Sequence, residues 1–133
     1  MVPTMLNSEN VTERSLELSK VPIVSRGATL KEALDKMTDL RLGIALIVDS
    51  EQKLLGVLTD GDLRRLLLTR QSPLPALLVT PAIEFGTRNP KYIEANSSVE
   101  EAKKLMSNLE IWDLPILAAD KKLIGLVHRH NLN

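Results

Sequence analysis

The feature that most constrains this chain is an internal duplication. Residues 20–64 and 89–133 carry one pattern in the same register. Thr29-Leu30-Lys31-Glu32-Ala33 falls on Ser98-Val99-Glu100-Glu101-Ala102, Met37 on Met106, Leu40 on Leu109, Ile47 on Ile116, and Lys53-Leu54-Leu55-Gly56 on Lys122-Leu123-Ile124-Gly125. Repeats spaced by about 20–50 residues build open arrays. The spacing here is longer and there are only two copies, so the expectation is a closed pair: two halves about a pseudo-twofold axis, with a ligand or partner cleft between them.

Composition narrows the function classes. The 133 residues suit one domain, or two half-domains sharing a core. Seventeen basic and seventeen acidic side chains balance, so no bulk field advertises nucleic acid or an acidic membrane. Cysteine is absent, which removes disulfides, zinc-thiolate sites and thiol nucleophiles. Phe85, Tyr92 and Trp112 are the only aromatic residues among Phe, Tyr and Trp, too few for a base-stacking nucleic-acid surface. No apolar run approaches the roughly 20 residues that span a bilayer, and Met1 to Lys20 is polar and lacks a signal-peptide core. The expected location is cytoplasmic, with neither nucleic acid nor membrane as partner.

Each copy reads as strand, helix, strand, strand, helix. Residues 1–20 have no partner in the repeat and read as a leader or linker, with Glu13–Leu18 able to form a helical turn or two. Val21–Val24 is a short strand. Thr29 and Glu32 form a capping box, followed by Leu30, Ala33, Leu34, Met37 and Leu40 at helical spacing. Ile44–Val48 is a continuous apolar run, as in a strand buried on both faces, and Leu54–Leu58 is its hairpin partner. Leu63–Leu68 reads as the closing helix. In the second copy Tyr92-Ile93 is the short strand, Ser98 and Glu101 repeat the capping box, and Leu114–Leu117 and Leu123–Val127 are the strands. The connector, 71–90, holds Pro73, Pro75, Pro81 and Pro90, which limit regular structure. The chain stops where the second closing helix is expected, as in a module cut from a longer protein.

The sharpest local string is Gly56-Val57-Leu58-Thr59-Asp60-Gly61-Asp62-Leu63-Arg64-Arg65. A strand ends, a hydroxyl and two carboxylates follow, and a helix begins. Amides at such a terminus favour an anion, Thr59 can donate to a phosphate, Asp62 can accept from ribose hydroxyls, and Arg64 or Arg65 can neutralise phosphate. The plainer reading is that Thr59, Asp60 and Asp62 cap the helix and the arginines form its solvated face. Residue chemistry leaves both open.

The order of elements, the duplication and this G-h-h-T-x-x-D string resemble a tandem pair of cystathionine-β-synthase (CBS) domains, a Bateman module. Phe85-Gly86-Thr87-Arg88-Asn89-Pro90 is similar to the Met-Thr-x-Asn-Pro string that opens a second such domain. The resemblance implies an α/β (α+β) fold of two β-α-β-β-α repeats: a leader at 1–20, a first domain at 21–70, a connector at 71–87 and a second domain at 88–133 with its last helix truncated. Thr59-Asp60-Gly61-Asp62-Leu63-Arg64-Arg65, Lys31-Glu32-Ala33-Leu34 with Met37-Thr38, and His128-Arg129-His130-Asn131-Leu132 further resemble the CBS pair of the arabinose-5-phosphate isomerase family of the Kdo pathway. A very similar string occurs in pairs fused to sugar nucleotidyltransferases.

The resemblance also implies ligand clefts. Thr59 would sit by phosphate, with Asp60 beside it, and Asp62 by ribose; Arg64 and Arg65 would serve the phosphate. Ile23, Val24, Gly43, Ile44 and Ala45 would line the base pocket, partly through backbone. Tyr92, Ile93, Asp113, Leu114 and Pro115 hold the equivalent places in the second copy, where His128 replaces the Thr and Asn131 the Asp. No cofactor is expected, and the ligand would be AMP, ATP or a CMP-sugar. His128 and His130 alternate on one extended face, but two imidazoles without a third ligand make a poor metal site. Trp112 reads as a packing or interface residue, and Met37 and Met106 as core. There is no P-loop, dinucleotide fingerprint or hydrolytic triad. The expected role is a regulatory module attached to the catalytic domain of a sugar-phosphate isomerase and forming a homodimer; the alternatives are a regulatory module of a sugar nucleotidyltransferase or a purely structural dimerisation module.

Overall fold

The computed structural model describes residues 9–132, which form two compact units. One comprises Ser19–Pro90. The other combines the chain up to Leu18 with the stretch from Lys91 onward.

In the first repeat, β1 (Ile23–Ser25) leads into α1 (Leu30–Leu40), β2 (Ile44–Val48) and β3 (Leu54–Thr59). Thr29 and Glu32 close the expected capping box, and Leu30, Ala33 and Met37 face inward from α1. β1 lies parallel to β2, with Val24 opposite Ile47, and β2 runs antiparallel to β3, with Ile44 opposite Thr59. The parallel pair requires a crossover, which α1 supplies. Val24, Ala33, Met37, Ala45, Ile47 and Leu58 share one core.

The closing helix α2 spans Asp60–Thr69, starting three residues before the apolar run suggests, because Thr59 caps it directly at the strand's end. The connector is more ordered than its prolines imply. It contains α3 (Leu74–Leu78), a 3-10 turn (Ala82–Glu84) and β4 (Thr87–Arg88), which pairs with β3 through Gly56 opposite Arg88. Three of its four prolines stand at helix starts: Pro73 and Pro81 at the N-caps and Pro75 in the first turn of α3, where a missing N–H removes no bond.

The second repeat follows the same plan, with β5 (Ile93–Glu94), α4 (Val99–Leu109), β6 (Asp113–Leu117) and β7 (Leu123–His128). Ser98 and Glu101 form the box, and Val99, Ala102, Met106, Leu114, Ile116 and Val127 form the core. Even the irregularity repeats: the β2–β3 register slips between Ile47 and Val48 and the β6–β7 register between Ile116 and Leu117, leaving Leu55 and Ile124 bulged. A 3-10 turn at Arg129–Leu132 stands where the first copy begins α2.

Part of the segment read as a leader without a repeat partner has a structural counterpart. The Leu30 amide donates to the Thr80 carbonyl and the Val99 amide to that of Glu9, both at 2.8 Å. Ala82 N donates to Ala28 O at 2.8 Å, and Val11 N to Ser97 O at 2.9 Å. Thr29 bridges Pro81 as Ser98 bridges Asn10. Residues 9–16 thus do for the second repeat what 80–88 do for the first. Val11 is wholly buried in the second core, in a 3-10 turn (Val11–Arg14) matching Ala82–Glu84. Each repeat is completed by the segment that precedes the other one.

Candidate ligand site

In the first repeat the site residues gather at one end of the β2–β3 hairpin. Antiparallel pairing sets Thr59 opposite Ile44, and the Asp60 amide donates to the Gly43 carbonyl at 3.0 Å. The Asp60 carboxylate lies so close over Gly43 that a Cβ there would fall 2.5 Å from Asp60 Oδ2. Thr59 Oγ1 accepts from the Asp62 amide at 3.2 Å, and Asp62 Oδ2 accepts from the Thr59 amide at 2.8 Å and the Thr59 hydroxyl at 3.1 Å. Asp62 is 7% exposed, and its Oδ1 accepts from Arg65 Nη2. The capping reading of Thr59 and Asp62 is therefore realised in full. Oδ1 keeps one lone-pair direction, so a ligand hydroxyl can join Arg65 there without dismantling the cap. Arg64 is exposed on the helix. An adjoining cavity of about 330 Å³ is lined by Met37, Thr38, Arg41, Leu42, Gly43 and Asp60.

Not every expected residue turns its side chain to this end. Val24 and Ala45 belong to the core, so only their backbone can meet a ligand. Ile44 is buried, and Ile23 half-buried. In the second repeat Ile93 and Leu114 are likewise core, and Pro115 is buried. The Tyr92 hydroxyl accepts from Lys121, which holds that amine above its usual range; Lys121 lies in the β6–β7 turn, away from Asp113 and His128. Asn131 bonds the N-terminal segment: its Nδ2 donates to Arg14 O at 3.4 Å, and its carbonyl accepts from Arg14 Nη1 at 3.2 Å.

The second copy does bring Asp113 and His128 together. They sit opposite each other across β6–β7, as Ile44 and Thr59 do in the first copy, with Asp113 Oδ1 2.8 Å from His128 Nδ1. A carboxylate there favours the tautomer that donates from Nδ1 and leaves Nε2 outward. Trp112, which the sequence presents as a packing or interface residue, is 54% exposed and joins this group. Its ring centroid is 6.5 Å from that of His128 and 5.8 Å from that of His130, and the Arg129 guanidinium lies 4.8 Å from it. Arg129 Nη2 also donates to the Met106 carbonyl at 3.2 Å. Ring contacts and a carboxylate–imidazole pair replace the hydroxyl–carboxylate cap of the first copy. Among the described residues, no three histidine or acidic side chains are placed to hold a metal ion.

Two β-α-β-β units, each ending its third strand in a polar junction, make this a tandem α/β module. The family model for the CBS domain matches residues 14–69 and again 82–132, and the chain belongs to the CBS domain family. An uncharacterized protein of Rickettsia prowazekii, RP505, is 34% identical over 113 residues, covering 85% of this chain and 33% of its own length. Arabinose 5-phosphate isomerase KdsD of Pseudomonas aeruginosa is 33% identical over 112 residues, covering 84% of this chain and 33% of the isomerase. The chain thus spans about a third of the curated relatives it matches. Among solved structures, CBSX2 from Arabidopsis thaliana superposes with a TM-score of 0.77 at 25% identity, covering 94% and 92% of the two chains. CBSX2 in complex with AMP gives 0.81 at 22% identity, covering 93% and 92%.

Proposed function

We propose that the chain is a regulatory module that binds an adenine nucleotide or a nucleotide-sugar and biases the activity of an attached sugar-phosphate isomerase. The observation that carries this reading is the junction Thr59–Arg65. There a hydroxyl, a buried carboxylate with one accepting direction to spare and the Arg65 guanidinium meet, with Arg64 exposed on the same helix and a cavity adjoining through Gly43 and Asp60. Membership of the CBS family and the AMP complex of CBSX2 support the adenine part. The matching third of KdsD supports the isomerase part. Regulation needs the ligand to favour one of two states of the parent enzyme by its differential affinity. Calorimetric titration with AMP, ATP, CMP and a CMP-sugar tests it: heats are expected with at least one, and are lost in Asp62→Ala.

A second reading, assembly, has its own observation. Leu67 and Leu68 on α2 are 65% and 79% exposed, and Leu74 and Val79 in the connector 54% and 72%. A homodimer formed through these side chains would take them out of water. A firm dimer in light scattering, with no thermal shift from any nucleotide, favours assembly alone.

A further inference from the structure

We propose that a second site, for a small organic anion with a phosphate-monoester head, lies between the Ser25–Ala28 turn and β4, held by Arg26 and Arg88. A cavity of about 560 Å³ opens there, within the range of small-molecule sites, with Leu55, Pro81 and Ile83 as apolar walls. Arg26 makes no hydrogen bond or ion pair among the described residues. Arg88 meets Glu84 at 3.7 Å, with both side chains more than half exposed, a weak pair that an anion can displace. Two guanidiniums thus face one carboxylate at this cavity. Asp49, whose carboxyl is held below the usual range chiefly by the Lys53 amide and least by Arg26, lines the neighbouring cavity of about 570 Å³ that shares Arg26 and Gly27. Guanidinium forks match phosphate oxygens in pairs.

Gly27 keeps one side of this cavity clear. A chain uses glycine for left-handed backbone, for tight packing, or where something approaches the backbone closely. Gly27 does not have a positive φ, and a Cβ built on it meets nothing within 4 Å. Nor does the turn itself demand Arg-Gly. The Ala28 amide donates to Ser25 O at 3.1 Å, the Ser97 amide makes the equivalent bond to Glu94 O at 3.0 Å, and that second turn carries Ala95-Asn96 instead. Gly27 therefore leaves open, at the cavity it lines, space that a larger side chain would fill. The site is remote from the Thr59 junction: Ser25 pairs with Val48 at the far end of β2 from Ile44 and Thr59.

The test is a titration of the ¹⁵N-labelled chain with glucose 6-phosphate, inorganic phosphate, citrate and glucose. Glucose 6-phosphate is expected to shift the Gly27 and Asn89 amides saturably, inorganic phosphate more weakly, and glucose not at all. Arg26→Gln and Arg88→Gln should each weaken binding about tenfold or more. Gly27→Val should block it sterically without lowering Tm and without altering any response to AMP. Citrate binding as tightly as glucose 6-phosphate overturns the phosphate assignment. Absence of shifts, or shifts that survive Arg26→Gln and Gly27→Val, overturns the site.

Discussion

Thr59 and Asp62 cap one helical turn from both sides, the threonine hydroxyl on the Asp62 amide at 3.2 Å and the Asp62 carboxylate on the Thr59 amide at 2.8 Å. The residues offered to a ligand are therefore also residues that hold α2. Thr59→Ala should cost about 1 kcal/mol, and Thr59→Ser much less, because serine keeps the capping oxygen. In a chain of this size, calorimetry should register the Ala change as a fall in Tm of about 3–5 °C. An unchanged Tm in Thr59→Ala would show that the cap does not support the fold.

The N-terminal segment completes the second repeat, with Val11 wholly buried among Ile93, Val99 and Met106. Val11→Ala removes two buried methyl groups and should cost about 2 kcal/mol. Hydrogen exchange should quicken in Val99–Leu109 and Leu123–His128 while Leu30–Leu40 keeps its protection. Uniform loss across both repeats would contradict the assignment of this segment to the second one.

Both long helices end on a left-handed residue that is not glycine: Arg41 at φ 57° and Glu110 at φ 54°. The strain of a side chain there is about 1 kcal/mol or more, partly offset in a glycine variant by greater unfolded-state freedom. Arg41→Gly and Glu110→Gly should each stabilise by about 0.5–1 kcal/mol. Urea denaturation checks this, and a lower midpoint in either variant would contradict it.

Asp49 accepts from the amides of Lys53 at 3.0 Å and Glu51 at 2.8 Å. The Lys53 amide above all holds its carboxyl below the usual range. A depressed folded value gives stability that is present above the unfolded carboxylate value, about 3.9, and is lost as pH falls through the folded one. Asp49→Asn keeps an accepting oxygen but does not titrate, so it should lose less stability than the wild-type chain on acidification below that value. Identical acid limbs would contradict the shift.

Much of the fold was legible because its signals are local. Thr29 with Glu32 and Ser98 with Glu101 stand at the spacing a capping box needs, and the runs at Ile44–Val48 and Leu114–Leu117 are strands of matching length. The role of 9–16 was not legible. Val11–Ser97 and Ala82–Ala28 are backbone bonds that almost any residues can make, so the two segments share geometry without sharing sequence. Within the candidate site, the Thr59–Asp62 pairing follows from spacing along one turn. The Trp112, Arg129 and His130 grouping depends on strand register and on the 3-10 turn at Arg129–Leu132, and Tyr92 was drawn to Lys121 by the hairpin's far end. Arg65 chose Asp62 over solvent because the two lie three residues apart on one helix face.

The central claim is nucleotide binding at the Thr59–Asp62 junction, and calorimetric titration of the chain with AMP tests it most directly. The account predicts a saturable heat with a matching rise in Tm, since a ligand at 100 times its Kd stabilises by about 2.7 kcal/mol. It predicts that both vanish in an Asp62→Ala chain that circular dichroism shows to be folded. Heat and thermal shift that persist unchanged in Asp62→Ala, or that are absent with AMP, ATP, CMP and a CMP-sugar alike, would contradict it.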